Sequence, residues 1–201
     1  MEKPAETQYP IHELLQRRWS PRAFSDQSVS RQQVRSLLEA ARWAASSNNE
    51  QPWNFLLATK QDQTDYERLL SCLRDTNQMW ARLAPVLAMS IAKLVFTDGG
   101  EPNRHAFHDV GLAVENLVVQ ATALGLMVHQ MAGIYPDKVR GLYGIPGDYE
   151  VVAALAIGYP GDPELLPERF RQRELAKRSR KAIAEFTFAG HWGRPSPIVA
   201  G

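Results

Sequence analysis

Cysteine is almost missing from this chain: Cys72 stands alone among 201 residues. No intramolecular disulfide can form, and no Cys/His spacing offers the ligand set of a structural zinc site. That favours a reducing compartment. An excess of one charge sign is missing too, since 23 Lys and Arg against 22 Asp and Glu leave a formal net charge of +1. A global field that coats nucleic acid or membrane is thereby excluded, and any recognition of anions must come from local clusters. No window approaches the ~18 uninterrupted apolar residues of a membrane span, and the opening MEKPAETQYP has no apolar core of the secretory kind. A cytoplasmic location with no membrane partner is expected. Also absent are G-x-G-x-x-G and G-x-x-x-x-G-K-[ST], so neither a Rossmann crevice nor a P-loop is supported. There is no internal repeat and no low-complexity tract. What remains is an ordinary globular composition, 44% apolar and 22% charged, in a length that suits one domain over residues 1–201.

The punctuation of the chain suggests alternating helices and strands. Ile11, Leu14 and Leu15 make a short helical stripe that stops at Pro21. Ser30 and Gln33 read as a capping box opening a helix that carries Val34, Leu37, Leu38 and Ala41 and runs to about Ser46. Strands are expected at 54–59, 85–94 and 126–132, with a last one in EVVAALAIG, and weak helical character over 61–83. The longest helix, about 104–124, is apolar over more than one face, which predicts burial by more than its own sheet.

Three stretches carry chemistry. RRWSPRAF, residues 17–24, offers the guanidiniums of Arg17, Arg18 and Arg22 and the Ser20 hydroxyl, with backbone N–H groups of an irregular turn beside them. Forked guanidinium donors match phosphate oxygens, although a solvated basic helix end has the same composition. AASSNNEQPWNF, residues 44–55, crowds small hydroxyls and amides at a helix end. Such groups suit the edge of a planar heteroaromatic ring, or make an ordinary polar loop. ERFRQRELAKRSRKAIAEF, residues 168–186, is basic but poor in the aromatics that a single-strand nucleic-acid platform needs. His105 and His108 beside Asp109 lack a third convincing ligand, so no metal site is expected. Cys72 has no visible base to activate it.

Taken together, the chain resembles the FMN-dependent nitroreductase family over nearly its whole length. The family's opening R-R-S-x-R-x-F-like motif corresponds to Arg17-Arg18-Trp19-Ser20-Pro21-Arg22-Ala23-Phe24. Its S-S-x-N-x-Q-P-W-x-F motif corresponds to Ser46 through Phe55, and its late paired basic residues to Arg178-Ser179-Arg180. The resemblance implies an α+β fold with a central, mostly antiparallel sheet flanked by helices, and an intertwined homodimer with FMN at the subunit seam. It implies that Arg18, Ser20 and Arg22 reach the ribityl phosphate and the pyrimidine edge of the flavin, with Trp19 contributing backbone or packing. Asn49 would bond the isoalloxazine region, Ser46 and Ser47 would line the ring from the other protomer, and Arg178 and Arg180 would close around the phosphate. Gly133 matches a position where backbone approaches flavin N5. Ala132 stands before it, where better-known members often carry a carboxylate. The tail, 180–201, would pack on the partner subunit.

What the resemblance implies for function is ping-pong hydride transfer: NADH or NADPH reduces the flavin, leaves, and is replaced by a nitroaromatic, quinone or similar small electron-poor acceptor. The hard chemistry would be the cofactor's, so no side chain is named as catalytic. A same-fold flavoprotein with a specialised flavin-modifying, dehalogenating or regulatory role is the alternative, and a basic nucleic-acid-binding module a remote one. Phe96–Asn103 and residues 70–83 are candidate lid segments by analogy.

Overall fold

The computed structural model describes residues 2–199. In chain order its elements are α1 (Glu13–Arg17), α2 (Arg31–Arg42), β1 (Trp53–Thr59), α3 (Gln63–Leu70), α4 (Asp75–Ala81), β2 (Val86–Lys93), α5 (Ala106–Ala123), β3 (Met127–Met131), α6 (Pro136–Tyr143), β4 (Tyr149–Gly158) and α7 (Glu168–Leu175). The fold is α+β. The four strands form one antiparallel sheet in the order β1-β2-β4-β3.

Both central strands read as nearly continuous apolar runs because each is covered on two faces. Along β2, Val86, Ala88 and Ala92 face the layer built by α2 and α5, where Leu37, Val110 and Leu117 are buried. The alternate residues Leu87 and Met89 face a second layer with Leu69, Leu73, Trp80 and Phe170. A register shift between Ser90 and Ile91 leaves Val152 of β4 without a partner on β2. Such a bulge locally increases strand twist.

The Ser30–Gln33 capping box forms in both directions. The helix it opens stops at Arg42, earlier than Ser46, because the chain turns extended at Ser46 (φ −149°) and then left-handed at Asn48. The weak helical signal over 61–83 resolves into two helices, α3 and α4. Leu73 interrupts them by forming a β-bridge to Ile134, and Tyr135 N–H donates to the Cys72 carbonyl.

Two apolar faces lie open on this chain. The stripe on α1 is not core: Ile11 and Leu15 are exposed, and none of the helix is buried. On α5 the inward face is buried as expected, but Phe107 and Leu112 remain exposed on this chain.

Candidate functional site

The turn Ser20–Ala23 enters the second layer beside β3 and α7. Phe24 is nearly fully buried and bridges to Pro160, while Ser25 N–H donates to the Tyr159 carbonyl. Gly161 is required there: a Cβ would come within 2.4 Å of the Phe24 carbonyl carbon. The motif is thus pinned to the end of β4, and the residues just before Phe24 face outward into a cavity of about 230 Å³.

That cavity brings together the early and the late cations. Its lining includes Arg18, Ser20 and Arg22 from the first motif and Arg178 and Arg180 from the last, with Lys3, Arg173 and Lys177 added. Trp19 lines it too and is otherwise buried under Lys3, whose ammonium sits 5.1 Å from the ring centroid. Arg17 is not part of this lining. Glu174 is the one acidic residue among eleven, against seven cationic ones. Burial first, and then repulsion from Arg18 and Arg180, holds the Arg178 guanidinium below its ordinary value. Arg22 is held down likewise, by burial and then by Arg173, with Glu174 opposing. A cation cluster of this kind is a donor set for a multiply charged anion.

Three residues that sequence reading missed organise this cluster. The Glu174 carboxylate is 1% exposed as a residue and accepts from Arg22 N–H at 2.8 and 2.9 Å and from Ala23 N–H at 3.0 Å. The backbone donors of Arg22 and Ala23, just after Pro21, are therefore already taken. On the other side, an His129 ring nitrogen lies 2.8 Å from the Pro21 carbonyl, which can only accept, so Nδ1 carries the proton. The same ring packs on Trp80 at 4.4 Å between centroids. Burial, the largest influence, pushes the His129 pKa down to about 4, so the imidazole is neutral near pH 7. Lys3 donates to the carbonyls of Glu174 and Ala176 at 2.6 and 2.5 Å, and Arg178 donates back to the Lys3 carbonyl at 2.6 Å. The N-terminal segment is thereby strapped to the late basic run. That run is no uniform stripe: Arg171 pairs with Glu164 and Glu168, while Phe170 and Glu174 point inward.

Ser46, Ser47 and Asn49 lie elsewhere. Their loop leads into β1, at the opposite edge of the sheet from β3, and none of the three lines the cationic cavity. Asn48, Asn49 and Gln51 all adopt left-handed φ of 52–56°, which costs roughly 1–2 kcal/mol for each L-residue, less for Asn. Such strain persists only where surroundings fix it. Here the buried Asp109 in the first turn of α5 accepts from Ser47 N–H at 2.9 Å, and Glu50 accepts from Thr97 N–H at 2.8 Å and Thr97 Oγ1 at 2.5 Å. Asp109 is thus an anchor of this loop, and its other carboxylate oxygen faces His108 Nδ1 at 3.0 Å.

Gly133 follows β3 on the same side as His129. Its carbonyl accepts from Arg74 N–H at 2.9 Å and Asn77 Nδ2 at 3.0 Å, and a Cβ at this position would meet Asn77 Nδ2 at 2.4 Å. Ala132 beside it is exposed and offers no side-chain donor or acceptor. Cys72 is buried, and burial pushes its thiol up, the reverse of what a nucleophile needs.

A family model described as the nitroreductase family matches residues 15–159. The chain belongs to the nitroreductase family. A solved structure described as an oxidoreductase containing FMN aligns with a TM-score of 0.87 at 34% identity, covering 94% of this chain and 96% of its own. An Archaeoglobus fulgidus protein with the provisional name NADH dehydrogenase/NAD(P)H nitroreductase is 27% identical over 154 residues, 74% of this chain and 84% of its own length. The 5,6-dimethylbenzimidazole synthase of Rhodospirillum rubrum is 25% identical over 192 residues, 85% of this chain and 91% of its own. The matched residues 15–159 include Arg18, Ser20 and Arg22 of the cationic cavity and the left-handed loop, and end before Arg178 and Arg180.

Proposed function

We propose that this nitroreductase-family protein is an FMN-dependent oxidoreductase that takes hydride from NADH or NADPH and delivers reducing equivalents to a nitroaromatic, quinone or similar electron-poor acceptor. The observation that carries this reading is the convergence of Arg18, Arg22, Arg178 and Arg180 on one cavity. A phosphate monoester carries close to two negative charges, and forked guanidiniums are its strongest side-chain partners. The residues present therefore fit the phosphate end of FMN. In this role Arg18, Ser20 and Arg22 hold the phosphate from one side and Arg178 and Arg180 from the other, while Trp19 closes the cavity floor. Gly133, whose missing Cβ leaves room for the Asn77 amide, stands where the resemblance brings backbone near the flavin ring. Ser46, Ser47 and Asn49 lead into the opposite edge of the sheet and line none of that cavity, so in this reading a homodimer brings that loop from the partner. When bound, FMN would supply the hydride-accepting and hydride-donating chemistry.

The test is direct. Purified protein should carry, or take up, a yellow chromophore that bleaches when mixed anaerobically with NADH or NADPH and recovers on addition of a quinone. Protein that stays colourless after incubation with FMN would remove the cofactor. Flavin that binds but bleaches with neither donor would favour a specialised flavoprotein instead, a reading supported by the exposed Ala132 methyl in place of a carboxylate and by the likeness to a synthase.

A further inference from the structure

The single carboxylate in the cationic cavity is misplaced by simple electrostatics. Glu174 weakens the pull of Arg22 and Lys3 on any bound dianion, yet it is among the most deeply buried side chains of the molecule. Its two oxygens are spent on backbone: Oε1 accepts from both Arg22 and Ala23 N–H, and Oε2 from Arg22 N–H. From the opposite side the protonated Nδ1 of His129 donates to the carbonyl of Pro21. The peptide groups around Pro21, Arg22 and Ala23 are thus gripped from α7 and from β3, two elements more than a hundred residues away in sequence. Pro21 cannot donate a hydrogen bond of its own, so this turn has little local structure to define it.

We infer that Glu174 and His129 are positioning residues that clamp the Ser20–Ala23 backbone so that Arg18, Ser20 and Arg22 face the phosphate of the bound flavin nucleotide. The inference rests on the phosphate assignment above. It gives Glu174 an effect opposite in sign to its charge. A carboxylate acting only as a nearby anion repels the phosphate, so its removal tightens binding. A carboxylate acting as a clamp holds the donors in place, so its removal loosens binding.

The experiment compares dissociation constants for FMN and riboflavin, which differ by the phosphate, on flavin-free wild type, Glu174→Ala, Glu174→Gln and His129→Phe. General loss of stability moves both flavins together; loss of donor alignment moves FMN alone. Glu174→Ala should lower the FMN preference by about tenfold or more, since two backbone donors lose their acceptor. Glu174→Gln keeps an acceptor oxygen without the charge and should hold the wild-type preference or exceed it. His129→Phe keeps the aromatic contact with Trp80 but not the donor, and should lower the preference as well. It carries the test if Glu174→Ala fails to fold. An unchanged or increased FMN preference in Glu174→Ala, or an equal loss in Glu174→Gln, would overturn the positioning role. A wild-type protein that binds both flavins alike would overturn the phosphate assignment itself, and the clamp with it.

Discussion

At the scale of single residues, the site depends on charges that are costly to assemble. Arg22 is half-buried, lies 5.8 Å from the Trp80 ring centroid and is surrounded by other cations. Replacing it with Ala should weaken FMN binding by about 2 kcal/mol, roughly thirtyfold, the loss of one charge-assisted contact. An unchanged dissociation constant would remove it from the phosphate. His129 makes a pH prediction whose sign is fixed by burial. Its native pKa is down at about 4 against an ordinary 6.5, so the unfolded chain takes up the proton first as pH falls. Its contribution to stability is full above about pH 6.5 and is lost progressively toward pH 4. Urea melts of wild type and His129→Phe should diverge at pH 7.5 and converge near pH 4. Curves separated by the same amount at both would show that the imidazole is not held neutral. The sequence made Arg18, Arg22, Arg178 and Arg180 visible because guanidinium clusters are a compositional signal. It hid Glu174, which sits in a run that reads as solvated and basic, and His129, which sits in a strand. Their roles come from contacts 152 and 108 residues apart, and no local period encodes those.

At the scale of elements, apolar periodicity was readable wherever packing is local. The Ser30–Gln33 box and the apolar runs of β1, β2 and β4 lie close to where patterning puts them, although of β1 only Ala58 is buried. Removing the box with Ser30→Ala should cost about 1 kcal/mol in chemical denaturation, with flavin affinity unchanged, because α2 lines none of the cationic cavity. The end of α2 was harder to read: Ala44 and Ser46 are compatible with helix, and only the left-handed run at Asn48, Asn49 and Gln51, fixed by Asp109 and Glu50, shows why the helix stops. Asp109 does meet one of the two histidines beside it in sequence, His108, but its other carboxylate oxygen accepts from a backbone amide 62 residues away, which no local pattern shows. The passage after β4 is equally tight. Gly161→Ala should destabilise the fold by roughly 1–3 kcal/mol, since the nearest atoms to the new methyl are backbone of Phe24 and Ser25. It should also loosen FMN, because the same backbone carries Arg22. A variant that melts and binds like wild type would show that the turn is not held by this contact.

At the scale of the whole molecule, the proposed homodimer has exposed apolar surface to cover. Phe107 and Leu112 on α5 are 50% and 37% exposed, and in the tail Phe186, Trp192 and Ile198 are 61%, 93% and 91% exposed. The tail makes a small bridge of its own, Phe188 to Pro195, with Trp192 against Phe188. A homodimer covering these faces would also deliver the Ser46–Asn49 loop to the partner's cationic cavity. Light scattering should give twice the 22.6 kDa chain mass, and deletion from residue 182 onward should weaken both dimerisation and flavin retention. A monomer that retains FMN would contradict the shared site. The proposed sharing of the site between two subunits comes from the family resemblance alone, and composition by itself left the basic run 168–186 open to a nucleic-acid reading.

The most direct measurement is an FMN titration of the double variant Arg18→Ala/Arg180→Ala beside wild type, since these residues come from opposite ends of the chain and meet in one cavity. Loss of two charge-assisted contacts should weaken FMN by roughly a hundredfold or more, while riboflavin affinity stays near wild type. FMN affinity unaffected by the double change, or an equal loss for both flavins, would contradict the convergence of early and late arginines on one flavin phosphate.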